Sequence, residues 1–171
     1  MGVISFSLGP GAGLSPLLKR ALERAHDEGV MIIKSAGNDN ADSSGFGGQK
    51  AIEVYTVASH DENGVKAGTS NYGPAIDIWA PGKNVRALNH ENVWSNDNSG
   101  TSFATPWVAG MAALIKGYEP KLPVIKVWER IQQNAAPRGV SNVPLGPTLR
   151  LQIGANHPAR KPEHPYAFVG T

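Results

Sequence analysis

The stretch Ser99-Gly100-Thr101-Ser102-Phe103-Ala104-Thr105-Pro106-Trp107-Val108-Ala109-Gly110 opens a run that continues to Gly117 and is small or apolar on nearly every side. Phe103, Ala104, Val108, Ala109, Met111, Ala112, Ala113, Leu114 and Ile115 leave no polar face at helical spacing. A helix with that pattern belongs in the middle of a domain, with other layers around it. The spacing therefore predicts a buried helix over about 102–117, and the question becomes what packs against it.

The chain upstream supplies the layers. Val30-Met31-Ile32-Ile33 is four consecutive apolar residues, the pattern of a strand covered on both faces. Before it, Val3-Ile4-Ser5-Phe6-Ser7-Leu8 reads as a short strand, broken by Pro10 and by Gly9, Gly11 and Gly13. Between the two, Ser15 is placed to cap a helix whose first position is Pro16. Leu17, Leu18, Ala21, Leu22 and Ala25 form its apolar stripe, Lys19, Arg20, Glu23, Arg24 and Asp27 its polar side, and Gly29 its stop. Strand, helix and strand in so short a span predict a right-handed βαβ unit. Further strands are expected at about 53–59 and 76–80, with a turn at Glu62-Asn63-Gly64, and Pro123 opens a third helix on the stripe Val124, Val127, Trp128 and Ile131. After Ala136 the composition changes: residues 137–171 hold six prolines and four basic residues against one acid, Glu163. The expected organisation is a globular part over 1–136 and an extended, basic tail over 137–171, with one strand at about 149–153.

Composition narrows the function. A chain of 171 residues with 40% hydrophobic residues builds one domain with a real core. A formal charge of +2 is far from the basic surplus of a nucleic-acid binder. No apolar run approaches the ~18 residues that cross a bilayer, so no membrane partner is expected. With no cysteine, thiolate nucleophiles, disulfides and cysteine zinc sites are excluded. Gly9-x-Gly11-x-Gly13 stands where a dinucleotide fingerprint would, but the third glycine falls one residue early, and a tight strand-to-helix turn is the better reading. At the start, Met1-Gly2 precedes an apolar strand with no basic region or cleavage site, so it does not read as a signal peptide, and Phe6 breaks a myristoylation motif.

Three segments taken together carry a sharper reading. They are Ser7-Leu8-Gly9 at the end of the first strand, Ser35-Ala36-Gly37-Asn38-Asp39 at the end of the second, and Ser99 to Pro106 at the start of the buried helix. In this order they resemble the S-L-G, A-G-N and G-T-S-x-A-[ST]-P signatures of the subtilisin-like serine proteases, the subtilases. Gly73-Pro74, Ala80-Pro81-Gly82 and Val108-Ala109-Gly110 also match, and the resemblance extends over about residues 2–136. It implies a three-layer α/β fold around a parallel sheet, and a serine endopeptidase that works through an acyl-enzyme. By that resemblance Ser102 is the nucleophile, set at a helix N-terminus whose dipole and open N–H groups favour a developing oxyanion. The Ser102 N–H and the Asn38 side-chain amide are its oxyanion donors. In subtilisin itself, removing the equivalent asparagine costs about 3–4 kcal/mol of transition-state stabilisation. Ser7, Leu8 and Gly9 are expected to form one wall for an extended polypeptide substrate, and Ser35, Ala36 and Gly37 the other. Gly100 and Thr101 complete the substrate side. Taken singly, a serine at a helix start is a cap and an asparagine after glycine a turn residue; the joint spacing is what argues otherwise.

The base is not in the sequence. Subtilases place Asp in a D-[ST]-G strand end and His in an H-G-T helix start, both before the S-L-G strand, and neither motif occurs here. His26, His60, His90, His157 and His164 all read as ordinary solvated histidines, with His60-Asp61 the nearest thing to a pair. The fold is therefore expected to be incomplete, with a sheet edge and one side of the buried helix uncovered, and the chain alone to be poorly soluble, expanded, or folded against a partner. That partner would be the missing N-terminal half or another chain. The competing reading is a non-catalytic subtilase that only binds peptides or a partner. Trp107 stands where the family often has His, and Gly47-Gly48-Gln49-Lys50-Ala51 where it has a proline-bearing segment at the floor of the specificity pocket. No cofactor or metal site is identifiable; family habit admits calcium, for which the oxygen-rich runs 38–44 and 95–98 match no defensible spacing. Family habit also suggests a secreted precursor, but no residue here gives the compartment.

Overall fold

The computed structural model describes residues 2–7, 15–44, 54–137 and 139–151. Its centre is a four-stranded parallel sheet in the order β1 (Val3–Phe6), β2 (Met31–Ser35), β3 (Val54–His60), β4 (Ile78–Pro81). Helix α1 (Pro16–Asp27) joins β1 to β2 and starts where its signals place it: Ser15 Oγ accepts the Leu18 N–H at 3.2 Å, and Gly29 takes the left-handed conformation after the last turn. The contacting stripe is narrower than the sequence suggested. Leu18, Leu22 and Ala25 pack with Ile4, Ile32 and Val54, whereas Leu17 is 80% exposed, because spacing of four and three carries one row of side chains onto the sheet and turns its neighbour away.

The other face of the sheet carries α2 (Thr101–Tyr118) and α3 (Val124–Gln133). Met31, Ile33, Tyr55, Val57, Ile78 and Ala80 point to Ala104, Val108, Ala112 and Ile115 of α2 and to Val127, Trp128 and Ile131 of α3. Alternation assigns Ala58 and Trp79 to the opposite face, with Ala36, Ile76 and Val140. The result is three layers, helix on sheet on helices, as expected for an incomplete subtilisin-like α/β fold.

The two edges of the sheet differ. Along β4, residues 149–151 add a short parallel pairing: Trp79 N–H donates to Leu149 O, and Leu151 N–H donates to Trp79 O, both at 2.8 Å. Trp79 Nε1 also reaches Pro147 O at 2.8 Å, so the chain stays packed past the compositional change at Ala136, with Leu151 in the main core. Along β1 the outer edge is unpaired among the described residues, and the strand is only half-buried. One feature is absent from the sequence reading: the antiparallel hairpin of β5 (Val85–Leu88) and β6 (Trp94–Asn98), closed by a turn with Asn92 in the left-handed region. No residue of it is fully buried, and its strands of four and five residues, VRAL and WSNDN, are too short and mixed for a period to stand out in the sequence.

Candidate active site

In a parallel sheet all strand carboxyl ends meet on one edge, and polar groups gather there. Ser7 leaves β1, Gly37 and Asn38 leave β2, and Ser102 is the second residue of α2; these three points come together. Ser102 Oγ donates to Ser7 O at 3.2 Å, and Ser7 Oγ donates to Ser102 O at 3.0 Å. The second bond has a specific cause. Within a helix the Ser102 carbonyl would accept from the amide at position 106, but that residue is proline and has no N–H. The Ser7 hydroxyl takes the vacant acceptor and fastens β1 to the helix start.

Asn38 is held from the same helix. Its Oδ1 accepts the Thr101 N–H at 2.8 Å and the Thr101 hydroxyl at 3.1 Å. An amide whose oxygen faces these donors must turn its Nδ2 the other way. That Nδ2 lies beside Gly100, where a Cβ would stand 3.2 Å from it on a backbone at φ +142°. Gly100 is thus favoured for its conformation, and a Cβ there would press on the asparagine amide. Asn38 itself is exposed, so its amide opens outward.

Several expected contacts take a different form. Thr101, expected on the substrate side, is fully buried, and its Oγ1 accepts the Gly37 N–H at 3.1 Å. It supports the neighbouring loop and cannot itself touch a ligand. The side chains of Ser35 and Ala36 are likewise buried, at 1% and 3% exposure. The backbone groups at 36 and 37 are engaged within the chain: Ala36 N–H donates to Val57 O, and Gly37 O accepts the Asn71 N–H. Leu8, Gly9 and the 47–51 segment lie outside the described residues. Asn71, which had no role in the sequence reading, is fully buried against this loop; the signal for it was a polar residue in Ser70-Asn71-Tyr72-Gly73 directly before the family-like Gly73-Pro74.

No described histidine serves Ser102. His60 follows Ala58 on the alternating strand and so faces away from α2, towards Arg150, with its Nδ1 2.6 Å from Asp61 O and its Nε2 unpartnered. Burial, seconded by Arg150, holds its pKa below the usual imidazole value against the opposing pull of Asp61. The His60-Asp61 pair is therefore not a base for this serine. His26 lies on α1 across the sheet and His90 in the exposed hairpin turn. Among the described residues no group of three or more His, Asp or Glu side chains could hold a metal ion. In the two oxygen-rich runs the side chains are engaged within the protein: Asn38 Oδ1 accepts from Thr101, Asn40 Oδ1 from Lys66, Asp42 Oδ1 from Ser44, and Asn98 Nδ2 donates to the carbonyls of Val85 and Ser95. No helix among these residues is long and apolar enough to cross a membrane.

Comparison with known proteins gives the same answer from another direction. The model of the subtilase family matches residues 1–154. The chain is 37% identical over 154 residues to alkaline protease 1 of Aspergillus flavus, covering 90% of this chain and 38% of that protein. It is 39% identical over 135 residues to the thermostable alkaline protease of Halalkalibacterium halodurans, covering 79% of this chain and 37% of the relative. A crystal structure of a cold-adapted subtilisin-like serine proteinase superimposes with a TM-score of 0.78 at 30% identity, over 90% of this chain and 55% of that one. The chain thus spans less than two-fifths of the length of these curated relatives. On the family match and these identities, the chain belongs to the subtilase family of subtilisin-like serine proteases.

Proposed function

We propose that this chain carries the nucleophile half of a serine endopeptidase site and acts when an Asp/His-bearing half is seated against it. The observation that carries this reading is the Asn38 amide: its oxygen is tied to Thr101, which directs its N–H₂ past Gly100 beside the residue preceding the helix. The Asn38 Nδ2 and the Ser102 N–H would then donate to the oxyanion of a tetrahedral intermediate. Ser102 Oγ attacks the scissile carbonyl while its proton passes to the partner's histidine. The C–N bond breaks, the amine leaves with that proton, and water hydrolyses the ester to restore the serine. By the family resemblance, an extended polypeptide would run between Ser7, Leu8 and Gly9 on one side and the 35–37 segment on the other. Residues 1–136 supply the peptidase part and 137–171 an appendage, of which residues 147–151 are bonded along β4.

The docking face for the other half would be the β1 edge, which is unpaired among the described residues; α2 separately exposes Trp107, Leu114 and Tyr118 at 41%, 41% and 50%, with Trp107 beside Pro81 and Lys83 on the β4 side. A second reading, a subtilase that binds without catalysis, is favoured by one observation: Ser102 Oγ donates to a backbone carbonyl, where it has no base. A fluorophosphonate probe separates the two. It is expected to label Ser102 once the chain is co-folded with an Asp/His-bearing subtilase half, and to leave both the chain alone and a Ser102→Ala variant unlabelled. Labelling of the chain alone would overturn the account of the missing base, and no labelling of the assembly would favour the binding-only reading.

A further inference from the structure

We infer that Asn71 is the positioning residue of the oxyanion arm, the buried amide that holds the 36–41 loop so that Asn38 faces the start of α2. This rests on the proposed role of Asn38. The loop has no regular structure of its own, and it carries Gly37 at φ +98° and Asn40 at φ +50°. What defines it is Asn71, fully buried beneath it. Asn71 Oδ1 accepts two backbone amides, Asp39 N–H at 3.0 Å and Ala41 N–H at 2.9 Å. Its Nδ2 donates to Ala36 O at 2.9 Å and approaches Asp39 Oδ2 at 3.5 Å, while its own backbone N–H donates to Gly37 O at 3.0 Å.

The residues on both sides of Asn38 are therefore bonded to one side chain and its backbone, and Asn38 has the Thr101 anchor on its other flank. Asn71 is in turn referenced to the sheet. Ser70 Oγ accepts the β3 amide of Ser59 at 3.0 Å and donates to Asn71 O at 3.0 Å. The contact is tight enough to dictate the loop sequence: a Cβ at position 37 would stand 2.5 Å from Asn71 Nδ2, so only glycine fits. Only an amide suits position 71, since two N–H groups need an acceptor and a carbonyl needs a donor. Aspartate would keep the acceptors but place charge against Ala36 O and the Asp39 carboxylate. Alanine would leave all three backbone groups bare. An oxyanion donor works only when held in advance at the position where charge develops, and this is the element that holds it.

Two measurements test this. In the chain co-folded with an Asp/His-bearing half, Asn71→Ala is expected to lower kcat at least tenfold with KM changed less than threefold, and Asn71→Asp to lower it less. In an Asn38→Ala background, Asn71→Ala should have no further effect on kcat, because the group it positions is gone. An equal loss in both backgrounds would reduce Asn71 to a general structural residue and overturn the proposal. Amide exchange of this chain gives a readout that needs no activity. Asp39 and Ala41 amides should exchange at least tenfold faster in Asn71→Ala, with Ile32 and Val57 amides unchanged; uniform acceleration or none would refute the clamp. If the assembly is inactive with Asn71 intact, the role given to Asn38 fails while the exchange result still stands or falls separately. Should Asn71→Ala not fold, Asn71→Asp is expected to show the same pattern in smaller measure, and its absence refutes the proposal.

Discussion

Proline at position 106 deprives the Ser102 carbonyl of its helical donor, and the hydroxyl of Ser7, ninety-five residues earlier, takes that place. The two residues should therefore be coupled. Ser7→Ala is expected to cost about 1 kcal/mol, the net worth of one such bond. With Pro106→Ala, which restores the helical N–H, the cost of Ser7→Ala should fall by about 0.5–1 kcal/mol, as read by a double-mutant cycle in urea. A second residue-scale expectation concerns Thr101. Thr101→Val keeps the shape but removes the acceptor of the buried Gly37 amide, at a cost of about 1–3 kcal/mol in the same measurement. Neither pairing is legible in sequence. The motif names Ser7 and Thr101, but which of their groups face the substrate and which face each other depends on where the strand ends meet the helix.

Secondary structure was more legible, because its signals are local. Ser15, Pro16 and Gly29 bound α1, and the four apolar residues at 30–33 mark a strand covered on both faces; β2 spans Met31–Ser35 and is buried throughout. Element faces were less so. Leu17 and Leu22 look alike in the sequence, yet only the second meets the sheet. Leu22→Ala is expected to cost about 2–5 kcal/mol by loss of buried surface and cavity formation, whereas Leu17→Glu should stay within about 0.5 kcal/mol; urea midpoints compare them directly. The hairpin of β5 and β6 went unread, since its half-buried face covers only a few residues of each short strand and imposes no alternation long enough to stand out.

Among the described residues the sheet has one covered edge, along β4, and one unpaired edge, along β1, while α2 exposes Trp107, Leu114 and Tyr118. Unpaired strand groups and an exposed apolar helix stripe each favour association. Sedimentation of the isolated chain should show concentration-dependent self-association, relieved by Trp107→Lys with Leu114→Lys; a monomer at all concentrations would contradict this. Stability should also depend on pH through His60. Its folded pKa is depressed by burial, so the stability it allows is full above the ordinary imidazole value near ~6.5 and is lost as pH falls through the folded value. His60→Gln should flatten that part of a urea-midpoint profile. Taken by itself, the sequence determined the buried elements, the α/β class and the family, because caps, glycine stops, hydrophobic period and motif spacing act over a few neighbouring residues. Tertiary structure alone decided that Asn71 lies beneath the Asn38 loop, that Ser7 answers Pro106 and that His60 turns away from Ser102. Those pairings join distant parts of the chain, and they are set by strand order, by alternation across the sheet and by the need of each buried polar group for a partner.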